Sequence, residues 1–377
     1  MNRLSTTDRR SFLASALAAG SYAALAGGPA ATRAAFAAQE EPPRRLPPLK
    51  VSHDRRIRTI VGLRPYRAEG FVLTNERLGE KVVVHNYGHG GGGVSLSWGV
   101  AVLAAEQARN LEDKMVAVVG CGVVGLSTAR VLQRRGKAVT LYSRELPPET
   151  TSNVAGALWY PTHVYDPQRV SATFLERYGL ACRLAHREFQ SYVGPEYGVR
   201  WMETYSLRTE PESSNFESAG GAELYPEIRR YADARTHFGY PYVRRFTSLM
   251  IEPQTYLRAL LRDFYTAGGK LVVRELKSRE EVAALPERVI FNCTGLGARA
   301  LFGDQGLASM RGQIEVLLPQ PELDYGYLAN SLYMFPRADG VILGGTFEAG
   351  NWSMDADAAT TTRIIEGNAQ IARGFRR

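Results

Sequence analysis

The chain has 377 residues, 45% of them hydrophobic and 22% charged, a globular composition long enough to bury one large core or two interleaved ones. Its formal net charge of +8 at pH 7 is carried almost wholly by arginine, with six lysines in the chain, and the basic residues are scattered among acids rather than gathered in a run or on one helix face, which argues against a nucleic-acid partner. Cys121, Cys182 and Cys293 are too few and too far apart for a disulfide framework or a clustered metal site, and are expected to be buried and unreactive.

Residues 1–38 read as an export signal. Arg9 and Arg10 are followed by Ser11-Phe12-Leu13, then by a mild apolar stretch rich in alanine and glycine, then by the small residues Ala35 and Ala37. The paired arginines resemble the twin-arginine signal, which implies a periplasmic or extracellular protein exported already folded. A membrane anchor is the competing reading, but the stretch from Phe12 to Gly28 contains Ser15, Ser21 and several glycines, and a span needs about 20 strongly apolar residues. No stable membrane insertion is therefore expected after cleavage. Pro42, Pro43, Pro47 and Pro48 mark residues 39–50 as a stiff linker.

Two unusual strings come next, Gly62-Leu63-Arg64-Pro65 and His85-Asn86-Tyr87-Gly88-His89-Gly90-Gly91-Gly92-Gly93. A helix is predicted after Trp98 through Val100, Leu103, Ala104 and Gln107, with Asn110 to Asp113 joining it to the following strand. That strand, Met115 to Val119, leads into Gly120-Cys121-Gly122-Val123-Val124-Gly125, a helix with Leu126, Ala129, Val131 and Leu132 on one face, and a second strand from Ala138 to Tyr142. This is the strand, glycine turn, helix, strand order of a dinucleotide site. Gly120 permits the tight turn, Gly122 lets a pyrophosphate approach the backbone, Gly125 lets the helix lie on the sheet, and the helix N-terminus offers unpaired N–H donors. Glu145 lies 20 residues after Gly125, where a ribose-binding acid belongs, although Arg144 beside it also suits a 2′-phosphate, so the glycine turn alone does not choose the dinucleotide. Residues 207–224 read as an exposed excursion.

Further along stand Thr150-Thr151-Ser152-Asn153-Val154-Ala155-Gly156-Ala157-Leu158-Trp159, Asn292-Cys293-Thr294-Gly295, Met310-Arg311-Gly312-Gln313 and Tyr333-Met334-Phe335-Pro336, followed by Leu343-Gly344-Gly345-Thr346-Phe347 and Gly350-Asn351-Trp352. Together with the two earlier strings they resemble the D-amino-acid oxidase family from about residue 51 onward. The order differs from the family's, in which the glycine turn opens the chain and the Gly-Leu-Arg-Pro and His-Asn-Tyr-Gly-His strings lie near its C-terminus. A circular permutation accounts for this simply, because domain termini that lie close together tolerate it.

The resemblance implies an α/β fold in which a Rossmann-type FAD-binding domain (67–164 and 251–306) is interleaved with an α+β substrate domain (51–66, 165–250 and 307–377) built on a mostly antiparallel sheet. It implies oxidative deamination of neutral D-amino acids to 2-oxo acids, ammonia and hydrogen peroxide, with glycine, N-methyl amino acids or D-aspartate as alternative substrates and a dehydrogenase as the alternative activity. Arg64 matches the carboxylate-binding arginine, Tyr333 the tyrosine that adds a bond to the same carboxylate, and the Gly91 carbonyl the acceptor for the substrate amine. A second family tyrosine falls on Ala329, leaving Tyr325 or Tyr327 to reach in. The arginine with which D-aspartate oxidases hold an acidic side chain falls on Phe347, which favours a neutral substrate. FAD contacts are implied for Gly120, Gly122, Val123, Val124, Gly125, Arg144, Glu145, Thr150, Thr151, Ser152, Gly156, Ala157, Leu158, Leu276 and Thr294, and for Gly90, Gly91, Gly92, Gly93, Val94 and Ser95.

Trp98, Trp159 and Trp352 read as packing residues and Cys293 as a small buried one. His85 and His89 lack a nearby third ligand, so no metal is expected. The expected partners are a D-amino acid and O2, with a homodimer left open.

Overall fold

The computed structural model describes residues 44–211, 219–232 and 234–375; the stretch expected to be an export signal, with Arg9 and Arg10, and part of the expected proline-rich linker lie outside the described residues. In chain order the elements are β1 (Arg56–Arg67), β2 (Val72–Leu78), β3 (Lys81–Tyr87), a 3-10 turn at Gly90–Gly92, α1 (Gly93–Gln107), β4 (Met115–Val119), α2 (Val123–Arg134), β5 (Ala138–Ser143), α3 (Ala172–Phe189), β6 (Val199–Arg208), β7 (Arg229–Ala232), α4 (Arg235–Phe238) and β8 (Tyr242–Ile251). They continue with α5 (Pro253–Thr266), β9 (Lys270–Val273), α6 (Arg279–Ala283), β10 (Val289–Asn292), α7 (Gly297–Phe302), β11 (Leu307–Leu317), β12 (Tyr325–Ala329), β13 (Leu332–Arg337), β14 (Gly340–Gly344), β15 (Glu348–Ala349) and α8 (Ala358–Gly374). Among the described residues no helix is long and apolar enough to cross a membrane.

One sheet runs β2-β3-β10-β4-β5-β9, parallel throughout except for the β2–β3 hairpin. Its central strands are apolar on both faces, as a covered parallel sheet requires. Alternation along β4 divides the work: Val116 and Val118 enter a core shared with Leu96, Val100, Leu126 and Leu260 of α1, α2 and α5, whereas Ala117 and Val119 enter a second core with Val282 and Leu301 of α6 and α7. The predicted strand, turn, helix and strand from 115 to 142 are all present. β3, from the N-terminal part of the chain, lies beside β10, so β10 bridges β3 and β4.

The second sheet runs β1-β11-β14-β13-β12-β6-β8-β7, with β15 on β11, and is antiparallel except between β12 and β6. The α/β class with a mostly antiparallel second sheet holds. β1 pairs with β11 along its length, placing Arg64 opposite Met310 and Gly62 opposite Gly312. One face, with Tyr205, Tyr325, Tyr327, Met334 and Leu343, packs on Ile364 and Ile371 of α8. The other carries Phe335, Ile342 and Ile314, with Tyr333 against them, toward Leu158.

Two expectations are corrected. The last residues of the predicted linker are docked rather than spacing: Leu46 and Leu49 join the α8-side core, Lys50 N–H donates to Gln320 Oε1 (2.8 Å), Gln320 Nε2 returns a bond to Lys50 O (2.9 Å), and Tyr325 donates to Pro47 O (3.1 Å). The predicted excursion is anchored at both ends, because Leu207 lies in β6 and is buried, as are Ala219 and Leu224; residues 212–218 lie outside the described ones. Leucine and alanine side chains that find a core outweigh the turn-rich composition between them.

Candidate active site

The glycine turn is built as its spacing predicts. Gly120 sits at φ 108°, its N–H donates to Tyr142 O (2.8 Å), and a Cβ there would meet Cys293 O at 2.5 Å. At Gly125 a Cβ would lie 1.9 Å from Gly120 O, so only glycine lets α2 lie this close to β4. Gly122 caps α2 and is partly exposed with Val124; the first turn of the helix has no acidic side chain to oppose a phosphate. Not every backbone donor there faces open space: Val123 N–H donates to Ser152 Oγ (3.0 Å), and Cys121 N–H to Ser143 Oγ (3.1 Å). Ser152 therefore acts first as a cap on α2.

The remaining cofactor candidates gather around this turn. Arg144 and Glu145 follow β5 on the surface, and Arg144 is ion-paired to Glu145 (2.8 Å) and to Glu275 (2.9 Å), an arrangement in which its charge is already balanced by carboxylates. Thr150 donates to Asn153 Oδ1 (2.8 Å) within the turn that contains Thr151, and Thr294 is pinned to Asn292 Oδ1 through its N–H (3.2 Å) and hydroxyl (2.7 Å). Leu276 packs on the second core of the parallel sheet. Ala157 adopts φ 60°, and Leu158 bridges to Met250, carrying the chain from the glycine turn toward the other sheet, where Gly156 approaches Tyr333 and Phe335 (3.4 Å to each ring from a Cβ position).

The turn at 90–95 is wedged rather than open along its whole length. A Cβ on Gly90 would meet His163 O at 2.2 Å, on Gly91 Thr162 O at 2.7 Å, and on Gly92 Val164 Cγ2 at 2.6 Å, while Gly91 N–H donates to His163 O (3.0 Å). Gly91, Gly93 and Val94 keep exposure. Ser95 is buried and ties the backbone of the 158–160 segment, accepting from Tyr160 N–H (3.2 Å) and donating to Leu158 O (3.3 Å). Around Gly93 and Gly295 the nearest foreign atom to an added Cβ is a single contact at 3.9 Å in each case, whereas Gly122 is closed on one side by Ser152 Oγ at 3.1 Å. A glycine-backbone cradle bordered by open space and fed by a helix N-terminus without acids suits the pyrophosphate and flat ring of FAD.

Arg64, Tyr333 and Gly91 come from β1, β13 and the glycine turn. Arg64 reaches across β11 over Gly312, where a Cβ would meet Nη1 at 2.3 Å, and Nη1 donates to Thr346 O (3.1 Å). Burial holds its guanidinium below the ordinary arginine range, the nearby Tyr333 hydroxyl opposes that, and no described carboxylate pairs with it. Burial likewise raises Tyr333, with Arg64 and Arg337 opposing; its ring stacks on Phe335 at 4.8 Å. Phe347 lies against Arg64, its ring centroid 4.5 Å from the guanidinium carbon, and is stacked on His163 at 4.0 Å. A cation taken from water without an internal counter-charge is costly unless a ligand anion meets it.

The structure corrects one expectation here. Tyr325 and Tyr327 do not reach the site: they sit on the α8 side of the sheet, where Tyr327 donates to Asn368 Oδ1 (2.6 Å) and Tyr325 to Pro47 O. Side chains alternate along a strand, and the pairings Leu328–Tyr333 and Tyr327–Met334 put Leu328, not either tyrosine, on the Tyr333 face. Trp98 and Trp159 are buried, but Trp352 is exposed beside Arg299 and does not pack into a core. Cys121, Cys182 and Cys293 are free and buried, each thiol pushed up to about 12 by desolvation. The His-Asn-Tyr-Gly-His string is structural over much of its length: Asn292 donates to His85 Nδ1 (3.0 Å), Asn86 to Thr128 Oγ1 (3.2 Å), Tyr87 to Asp304 (2.9 Å), and His89 stacks on Phe71. Thr346 stands within a string singled out in the sequence but is given no role there, and His163, four residues after Trp159, belongs to none of those strings.

The chain matches the family described as FAD dependent oxidoreductase (DAO) over residues 115–375. It is 37% identical over 265 residues to a D-amino-acid oxidase of Rubrobacter xylanophilus, covering 66% of this chain and 74% of that one. A D-amino-acid oxidase of Streptomyces coelicolor is 33% identical over 265 residues, covering 69% and 78%. The human D-aspartate oxidase is 29% identical over 263 residues, covering 68% and 75%. In fold alone, the chain is similar to the FAD-bound L-α-glycerophosphate oxidase of Mycoplasma pneumoniae, with a TM-score of 0.51 at 14% identity, covering 71% of this chain and 80% of that one. With the glycine cradle in place and the match spanning most of the chain, the protein belongs to the DAO family of FAD-dependent oxidoreductases.

Proposed function

We propose that the protein oxidises neutral D-amino acids to 2-oxo acids, ammonia and hydrogen peroxide. The observation that carries this reading is Arg64: a desolvated guanidinium without a protein counter-charge, facing a tyrosine hydroxyl, in a protein whose relatives include D-amino-acid oxidases. Its planar fork meets a carboxylate with parallel hydrogen bonds, Tyr333 adds a third, and the Gly91 carbonyl accepts the ammonium. Holding an α-amino acid at both ends fixes the direction of its Cα–H, and orientation supplies most of the rate when no strong base is needed. Bound FAD supplies the two-electron acceptor and passes the electrons to O2. Phe347 leaves an acidic side chain without a partner, so D-aspartate is disfavoured.

The test mixes the yellow holoprotein anaerobically with D-alanine, D-phenylalanine, D-aspartate, glycine, sarcosine and L-enantiomers, then admits oxygen. Bleaching by neutral D-substrates with rapid reoxidation and peroxide supports the oxidase. Bleaching only by glycine or sarcosine, or slow reoxidation, replaces it with the corresponding amine oxidase or dehydrogenase.

The same reading extends to the order of the chain, which we infer to be a circular permutation of the family's. In support, the family match begins at β4, while β1 and β3, which precede it, fill places in both sheets. Tyr325 touches the two regions a permutation must bring together, donating to Pro47 O (3.1 Å) and packing its ring against Phe375 (6.0 Å). Two interleaved domains with the boundaries given above go with it, since the strands of the parallel sheet fall within 67–164 and 251–306. Export by a twin-arginine route is proposed from Arg9 and Arg10; retention of the precursor when both become lysine tests it.

A further inference from the structure

We propose that His163 is a positioning residue that couples the two groups gripping the substrate, Arg64 through its ring and the Gly91 turn through its backbone; this rests on the reading of Arg64 as the carboxylate holder. The contacts form a continuous path. The His163 carbonyl accepts the Gly91 N–H (3.0 Å), and its imidazole stacks on Phe347 with 4.0 Å between centroids and 17° between planes. Phe347 in turn lies 4.5 Å from the guanidinium carbon of Arg64, and the residue before it, Thr346, accepts from Arg64 Nη1 (3.1 Å). The fork is thus held at Nη1 by the carbonyls of Met310 (3.5 Å) and Thr346 and on its face by a ring, with the Tyr333 hydroxyl beside it, an arrangement that fixes its plane before a carboxylate arrives.

His163 adopts φ 55°, a left-handed conformation uncommon outside glycine, in which asparagine, aspartate and histidine are the residues most often found. Strain of this kind persists where surrounding contacts over-determine it, and it gathers at ligand clamps. Here the contacts are visible: Gly90 and Gly91 press on the 162–163 carbonyls so closely that neither glycine tolerates a Cβ. Crowding and the Arg64 charge also hold the imidazole below the usual histidine range, so it stacks as a neutral ring and adds no second cation beside the carboxylate site.

Loss of the ring frees Phe347, and through it the plane of the Arg64 fork. The Arg64–carboxylate contact both binds the substrate and aims its Cα–H, so the defect falls on kcat/KM, and a carboxylate without a reacting Cα–H reads the binding part alone. The test uses holoenzyme of wild type, His163→Ala, His163→Asn (which tolerates the left-handed backbone but lacks the stacking ring), Phe347→Leu and the double variant His163→Ala/Phe347→Leu. It reads KM and kcat for D-alanine and the Kd of benzoate from its perturbation of the flavin spectrum. Expected are a rise of about tenfold in benzoate Kd and a fall of about tenfold or more in kcat/KM for D-alanine in His163→Ala and His163→Asn. The double variant should be no weaker than Phe347→Leu, because both changes cut one path.

Unchanged kcat/KM and benzoate Kd in His163→Asn, or additive losses in the double variant, overturn the proposal. Benzoate that leaves the flavin spectrum unmoved, or moves it equally in Arg64→Ala, overturns it as well. If no D-amino acid reduces the wild-type flavin while benzoate binds in an Arg64-dependent way, the D-amino-acid reading fails on its own and the benzoate constants still decide the role of His163.

Discussion

The ring of Tyr333 rests on the backbone of Gly344, its directly paired partner on β14: a Cβ at that glycine would lie 1.9 Å from the ring's Cζ. Gly344→Ala therefore forces the ring and its hydroxyl away from Arg64, since the added methyl is fixed to a paired strand and the ring is the part that can move. A displacement of about 1 Å at a positioning group costs on the order of a hundredfold in rate. The expected outcome is that loss in kcat/KM with flavin still bound, measured by steady-state kinetics and absorbance of the purified variant.

Arg64 separates function from stability. Two charge-assisted bonds at about 1.5–3 kcal/mol each put the loss of kcat/KM in Arg64→Met at roughly a hundredfold to ten-thousandfold. Arg64→Lys recovers little of it, because an ammonium cannot reproduce the fork. A desolvated cation without a protein counter-ion is also a burden on the free enzyme, so Arg64→Met should melt no lower than wild type in the absence of substrate. A thermal scan of both holoproteins checks this, and a clear drop in Tm contradicts the electrostatic account.

Tyr327→Phe tests the corrected position of that tyrosine. It removes a 2.6 Å hydrogen bond to buried Asn368 and should destabilise the fold by about 1–3 kcal/mol without moving KM for any substrate. A change in KM with unchanged stability would return Tyr327 to the active site.

His89 predicts an acid-sensitive step. Its buried imidazole, whose Nε2 has no hydrogen-bond partner, is pulled down to about 3 by desolvation, against an ordinary value of 6.5. Between those values the unfolded chain binds a proton that the folded chain refuses, so stability is intact above about pH 6.5 and falls as pH drops toward 3, by at most about 1.4 kcal/mol per unit. His89→Phe, which keeps a ring against Phe71, should flatten that limb. Urea midpoints at pH 7.5 and pH 5 for the two proteins measure it; equal slopes would count against His89.

Much of this was legible because local rules and tertiary needs agree. Between residues 115 and 142 apolar runs, the glycine turn and helical spacing point the same way, and Gly120, Gly122 and Gly125 each meet a backbone or side-chain atom that excludes or crowds a larger residue. Arg64 and Tyr333 were visible as members of unusual strings, although only pairing of β1 with β11 and of β13 with β14 shows how they converge. What stayed hidden depends on which face a residue presents. Tyr325 and Tyr327 are tyrosines near the right place, and a parity of one residue sends them to the α8 core. Leu46 and Leu49 sit among prolines that suggest a spacer, and only the finished sheet offers them a surface. His163 has no signature at all in sequence, because its role comes from a left-handed backbone and a ring contributed by residue 347.

The pairing of β1 with β11 also sets a schedule for the nascent chain. Arg64 is separated from the β11 residue it faces by 246 positions, a stretch that takes about 12–50 s to synthesise at common elongation rates. The flavin sheet waits almost as long, since β3 and β4 are neighbours only through β10. A ribosome-bound chain arrested before residue 289 can thus have neither sheet closed, and during that interval β1 and the β10-facing edge of β3 hold backbone donors and acceptors with no strand partner yet made. Arg64 is translated early and placed late, so its surroundings and the glycine cradle mature nearly together as the last strands arrive.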